Sequence, residues 1–145
     1  MEFALQKTLS SAEVKLIRQK LNLKQRELAE FVNVSVKTVE YWERNGGQVK
    51  GSAAALLCIL RERTGILDEF QVPEKKLPVR LKYMYGEQLC TVIDVADRTR
   101  QVRIKNFVTD PLFRAFGRTA EPTYEEYEEF LESRCFPPTR DKMKI

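Results

Sequence analysis

Few side chains in this chain are able to do chemistry, and their pattern favours hydrogen bonding over bond making. Histidine is absent, and Cys58, Cys90 and Cys135 stand far apart with no CxxC pair. Tetrahedral zinc needs a close set of nitrogen and sulfur ligands, so no metal is expected, and no cofactor. No nucleophile–base–orienter set appears, and no glycine loop for phosphates follows a strand; the sequence does not read as an enzyme. What remains is a dense polar set within residues 24–44, KQRELAEFVNVSVKTVEYWER. Lys24, Arg26, Lys37 and Arg44 are its cations. Gln25, Ser35, Thr38 and Tyr41 add neutral hydrogen-bonding groups, and Glu40 adds a carboxylate.

Two short helices joined by a tight turn would carry this set. Leu28 and Ala29 are apolar, the chain turns at Asn33, buries Val34, and restarts at Ser35. Serine is a good N-cap, since its hydroxyl accepts from the first free amides of a helix. Asparagine tolerates a left-handed turn. Val36, Val39 and Tyr41-Trp42 follow at helical spacing, and Ala29 is small where two helices cross steeply, as in a helix-turn-helix. The spacing Gln25…Ala29…Asn33-Val34-Ser35…Val39…Trp42-Glu43 resembles the DNA-binding domains of the Cro/phage-repressor (XRE) family. The resemblance covers residues 9–61, under half the chain, and the segment KTVEYWERNG looks most like the family's antitoxin branch. Lys24 stands where the family often has Thr or Ser, so the second helix is expected to lack a side-chain cap.

In such a motif the second helix of the pair enters the major groove. With Val36, Val39 and Trp42 assigned to the core, Lys37, Thr38 and Tyr41 point outward. Lys37 suits guanine O6 or N7 and the Thr38 methyl suits a thymine methyl, while Tyr41 suits a base or a sugar. Glu40 repels phosphate unless it accepts from cytosine N4 or pairs with a cation. The resemblance implies that Gln25 donates to a phosphate; Lys24, Arg26, Ser35 and Arg44 are the other expected phosphate contacts. It also implies double-stranded DNA as partner, with a homodimer on a palindromic operator. A repressor-type half beside a separate small half looks like antitoxins and phage regulators, in which one half represses and the other holds a toxin or another effector. The alternative reading is an inhibitor of the anti-defence (anti-CRISPR-like) kind whose C-terminal half binds its target and whose helix-turn-helix autoregulates its operon.

The rest of the first half supports the motif. Ser10-x-x-Glu13 is a capping box across which Leu9 can staple onto Val14. Val14, Ile17 and Leu21 share one helical face, and Lys15, Arg18 and Lys20 point away. Asn45-Gly46-Gly47 stops the third helix, and Gly46-Gly47-Gln48 reads as a turn. A fourth helix runs from Gly51-Ser52 through AAALLCILRER and is apolar around much of its girth. One face covers the motif; the surplus predicts a second contact, with a dimer partner or with the C-terminal half. Ile66, Leu67 and Phe70 suit a further short turn of helix.

Residues 71–78, QVPEKKLP, read as a linker. The period then changes to two: Val79, Leu81, Tyr83 and Tyr85 alternate with Arg80, Lys82 and Met84. Gly86-Glu87 has the form of a two-residue hairpin turn. A second strand at Gln88–Ala96, a polar turn at Asp97-Arg98-Thr99 and a third strand at 101–107 complete a three-stranded antiparallel meander. Arg80, Lys82, Arg103 and Lys105 fall on one side, partly balanced by Asp94, as a solvated face or a second basic surface for nucleic acid or an acidic partner. Asp110-Pro111 and Gly117 bound an expected helix. Thr123-x-x-Glu126 caps another, with Tyr124, Tyr127, Phe130 and Leu131 buried and five glutamates outside. Residues 139–145 form a basic tail, expected to be frayed or docked on a partner.

The expected class is therefore α+β: a helix-turn-helix domain of four to five helices over 1–70, a linker over 71–78, and a small α+β domain over 79–145 for dimerisation or effector binding. At 145 residues and 43% hydrophobic content the chain can bury a core. The net charge of +4 is not segregated: residues 1–72 carry 11 basic and 9 acidic groups, and residues 73–145 carry 14 and 12. Any electropositive face must come from local arrangement. No apolar run approaches the roughly 18–20 residues of a membrane helix, and an odd cysteine count without a signal peptide fits a reducing cytoplasm.

Overall fold

The computed structural model describes residues 1–135; the expectations for 136–145 and for the Cys135 side chain lie outside the described residues. The chain divides into two units, Met1–Glu69 and the remainder from Phe70. The α+β class is as expected, with helices dominating the first unit and an antiparallel sheet the second.

In the first unit a strand of three residues, β1 (Thr8–Ser10), leads into α1 (Ser11–Lys20). Ser10 Oγ accepts from the Glu13 amide at 3.3 Å while the Glu13 carboxylate accepts from the Ser10 amide at 2.7 Å, so the capping box closes. α2 (Gln25–Val32) and α3 (Val36–Glu43) follow, joined through Asn33 in the left-handed region at φ 60°. Lys24 offers α2 no side-chain cap, and the Glu27 carboxylate accepts from the Lys24 amide instead. Then comes β2 (Gln48–Lys50), antiparallel to β1 with Leu9 opposite Val49. Both of these side chains are fully buried. The turn thus ends at Gly47, and Gln48 already belongs to a strand. Strands this short have too few residues to show a period, which is why the ribbon has no sequence signal.

α4 (Gly51–Glu62) buries Ala54, Leu57, Cys58 and Leu60 against Val14, Ile17, Leu28, Ala29, Val39 and Trp42. Ala53 and Leu56 also pack on that core, leaving Ile59 as the exposed large apolar residue of the helix. Ile66 and Leu67 of α5 (Ile66–Phe70) close one side, whereas Phe70 is exposed. Two expectations are corrected. Val36 is exposed rather than buried: it is the first residue of α3, and the helix buries only Val39 and Trp42, further along. Arg18 does not point away: it turns inward to a carboxylate partner described below.

The second unit is a meander in the order β3–β4–β5, made of β3 (Val79–Tyr85), β4 (Gln88–Ala96) and β5 (Gln101–Asn106). Gly86, at φ 58°, supplies the first position of the two-residue turn between β3 and β4. Leu81, Ile93 and Ile104 are cross-strand neighbours on one face. That face packs against α6 (Tyr124–Cys135) through Tyr127, Phe130 and Leu131. The capping box of α6 forms between Thr123 and Glu126. A register shift between Tyr83 and Met84 leaves Met84 and Tyr85 exposed, and the Tyr85 ring meets Phe113 at 4.8 Å.

The helix expected between Asp110 and Gly117 is only a single 3-10 turn, Pro111–Phe113. Asp110 caps it as expected, but the Ala115 amide, which would extend an α-helix, donates to Thr91 Oγ1 at 3.1 Å. No helix in the described residues is long and apolar enough to cross a membrane.

Candidate nucleic-acid interface

α3 is set by its two ends. At its start Ser35 Oγ accepts from the Thr38 amide at 3.1 Å, and the Ser35 and Thr38 hydroxyls share a 2.8 Å hydrogen bond. Ser35 is therefore engaged as a cap, and its hydroxyl holds Thr38 in place. At the far end Gly47 packs under the helix. A Cβ there would lie 2.7 Å from the Trp42 carbonyl oxygen and would also run into that of Tyr41. Only glycine lets β2 leave α3 this closely.

The deepest polar contact of the unit lies behind α3. Arg18 Nε donates to Glu43 Oε1 at 2.5 Å, a second guanidinium nitrogen donates to Oε2 at 3.0 Å, and the third donates to the Leu23 carbonyl. Gln25 Nε2 donates to Glu43 Oε2 at 2.9 Å. Burial alone would push the Glu43 carboxyl up, but the hydrogen bonds from Arg18 and Gln25 together with the Arg18 charge hold it below its ordinary value. The same bond raises Arg18. α1, α2 and α3 are thereby locked at one junction. Sequence reading missed this clamp because its members are 25 and 18 residues apart and no local spacing signals such a pair.

The clamp leaves the outer side of α3 open. Lys37, Glu40 and Tyr41 are exposed, as is Arg44 just beyond the helix, and none of these side chains has a partner among the described residues. Lys24 and Arg26 are exposed at the start of α2. Gln25 differs: it is half-buried and its amide is engaged by Glu43, leaving at most its second N–H for a phosphate. Thr38 is half-buried, with its hydroxyl turned to Ser35.

The four cations named for the sheet share one face in register, Arg80 beside Asp94 beside Arg103, and Lys82 beside Val92 beside Lys105. They are not equally available. Arg80 grips both Asp94 oxygens at 2.6 Å and a further nitrogen donates to the Pro73 carbonyl at 2.7 Å. Lys105 donates to the Gln71 carbonyl at 2.6 Å. Lys82 and Arg103 remain exposed.

Residues 14–59 match the family model described as helix-turn-helix. No curated protein and no solved structure matches the chain. The matched residues span α1 to α4, the elements that frame the exposed side of α3. Over these residues the first unit is similar to helix-turn-helix domains of Cro/phage-repressor (XRE) type, a family of DNA-binding transcription regulators.

Proposed function

We propose that this protein is a sequence-specific transcriptional regulator, a dimeric autorepressor of the antitoxin or phage-regulator type that binds a palindromic operator in the cytoplasm. The observation that carries this reading is the outward row Lys37, Glu40, Tyr41 and Arg44 on a capped, buttressed helix, with Lys24 and Arg26 nearby in sequence at the head of α2. Lys37, Thr38 and Tyr41 are assigned to base edges, with Glu40 accepting from cytosine N4. Lys24, Arg26, Arg44 and the remaining N–H of Gln25 are assigned to phosphates, which position the domain without reading sequence. One unit of this size makes few contacts, so two copies on half-sites about one helical turn apart are required for specificity.

Fluorescence anisotropy on the upstream DNA of its own gene, across a salt series, tests this. Binding should exceed that to random DNA, fall steeply with salt, and lose its sequence preference in Lys37→Ala/Tyr41→Ala. Weak binding that is equal on random DNA and unmoved by the substitutions would rule the reading out.

A second reading rests on a separate observation. Met84, Tyr85, Leu112 and Phe113 are large apolar side chains left exposed in the second unit, and Tyr85 and Phe113 lie in ring contact. Exposed apolar side chains of this kind, with the Tyr85–Phe113 ring pair among them, suit a protein partner, a toxin or other effector held through residues 79–145, or the target of an anti-defence inhibitor. Co-purification with the product of a neighbouring gene, lost in Tyr85→Ser/Leu112→Ser, tests it.

A further inference from the structure

Two elements of this chain lack a neighbour, one in each unit. Residues 1–5 belong to no helix or strand, and no backbone–backbone hydrogen bond reaches them among the described residues. The segment is pinned at Gln6, whose side chain donates to Glu13 at 2.9 Å and accepts from Arg61 at 3.1 Å. Ahead of that pin Met1, Phe3 and Leu5 alternate with Glu2 and Ala4, the period of a strand with one apolar face. Phe3 is 72% and Leu5 40% exposed. The second element is β3, at the edge of its sheet, with β4 on one side and no strand on the other among the described residues. Its outer row of N–H and C=O groups is a template for a further strand. β5, the opposite edge, exposes no large apolar side chain, whereas β3 exposes Val79. Lys82 of β3 is exposed and has no partner among the described residues.

We propose that residues 1–5 of one copy of this chain add as a strand to the β3 edge of a second copy, and the reverse, so that two exchanged arms join a homodimer. The pairing is antiparallel, the more stable arrangement, with Glu2 opposite Lys82. Charge fixes that register. Of the two cations of β3, Arg80 is engaged by both oxygens of Asp94, and Lys82 is the one without a partner. Met1, Phe3 and Leu5 then fall opposite Tyr83, Leu81 and Val79, on the sheet face where Leu81 and Ile93 meet α6. The small Ala4 falls beside Arg80 and leaves its ion pair undisturbed. A slip of one residue would turn all three apolar side chains to the charged face. In the matched register the Glu2–Lys82 charges attract across the strands and the apolar pairs add to them, while main-chain hydrogen bonds supply the rest. Pairing β3 with β3 of a second copy about Leu81 or Lys82 would instead set cation against cation, so the arm is the occupant that fits. Two-fold symmetry makes both joints identical. The inference rests on the reading above in that two copies act together, and it names the joint between them.

Sedimentation equilibrium of the full chain at micromolar concentration tests it, and a dimer is expected. Phe3→Asp should weaken the dimer about tenfold or more, since a ring buried in the joint is exchanged for a charge. Glu2→Lys and Lys82→Glu should each weaken it about threefold or more. The combined Glu2→Lys/Lys82→Glu should regain most of the parent affinity, which variants that merely damaged the fold would not. Phe3, Glu2 and Lys82 are exposed, so these substitutions leave the core of each unit intact. Carbodiimide coupling of mixed isotope-labelled and unlabelled chains should yield a Glu2–Lys82 amide between a labelled and an unlabelled peptide. A dimer that no substitution moves, no recovery in the combined variant, or a Glu2–Lys82 link only within one chain overturns the arm exchange and leaves the dimeric reading standing. A chain that stays monomeric also overturns the arm exchange, and if it occupies its operator as a single copy the dimeric reading falls with it.

Discussion

The Arg18 guanidinium and the Glu43 carboxylate, 25 residues apart, meet prong to prong at 2.5 and 3.0 Å. Their side chains are 16% and 6% exposed. The pair fixes the angle at which α3 leaves the body of the unit, and with it the direction in which Lys37 and Tyr41 point. Removing one partner strands the other in a site with little water. Arg18→Met should therefore lower stability by about 3 kcal/mol, read from urea unfolding. Arg18→Met/Glu43→Leu should recover most of the loss, since a buried pair replaced by apolar groups is often neutral.

The same carboxylate sets an acid limit. Glu43 titrates below its ordinary 4.5 when folded. The stability it contributes is thus fully present above the unfolded value and is lost as pH falls through the folded one. Thermal melting followed from about pH 5 down to about pH 3 should show the parent chain losing stability faster than Glu43→Gln, whose side chain does not titrate. Parallel curves would refute the assignment.

Gly47→Ala places a methyl group against backbone carbonyls that cannot rotate away. The end of α3 must shift, at about 1–3 kcal/mol as for other overpacked sites. The loss should appear in chemical unfolding, and because α3 itself is moved, operator affinity should fall with it.

In the second unit, Thr91 donates to Asn106 Oδ1 at 2.8 Å and accepts from the Ala115 amide at 3.1 Å, with no exposure of its own. Thr91→Val keeps the shape but leaves that amide without its acceptor. A loss of about 1–3 kcal/mol is expected, measured by denaturant unfolding, with Thr91→Ser retaining most of the stability.

What was legible in the sequence was local. Ser10, Ser35 and Thr123 announce helix starts because a cap and its target lie three residues apart. Asn33 and Gly86 announce turns because few residues accept a left-handed backbone, and the change from helical to alternating period separates the two halves of the chain. Long-range pairing was illegible. Nothing near Arg18 names Glu43, nothing near Leu9 names Val49, and the hydroxyl that ends the helix after Asp110 comes from Thr91, on another strand. For the candidate interface this means that Lys37 and Tyr41 were readable from spacing as outward residues of α3, whereas Val36, assigned by spacing to the core, is exposed, and Gln25, a phosphate donor by the family resemblance, has an internal partner.

Leu9 and Val49 have a consequence for folding. Their pairing joins the two ends of a loop that contains α1, α2 and α3, so the motif is a closed ring rather than a row of helices. Closing a ring of that length requires loop entropy to be overcome before the contact rewards it. Helices assembled from neighbours form quickly; a clasp between distant residues forms more slowly. The three pairs of the ribbon thus add to the non-local contacts, with Arg18–Glu43 and the packing of α4 on α1, that slow the folding of a helical domain.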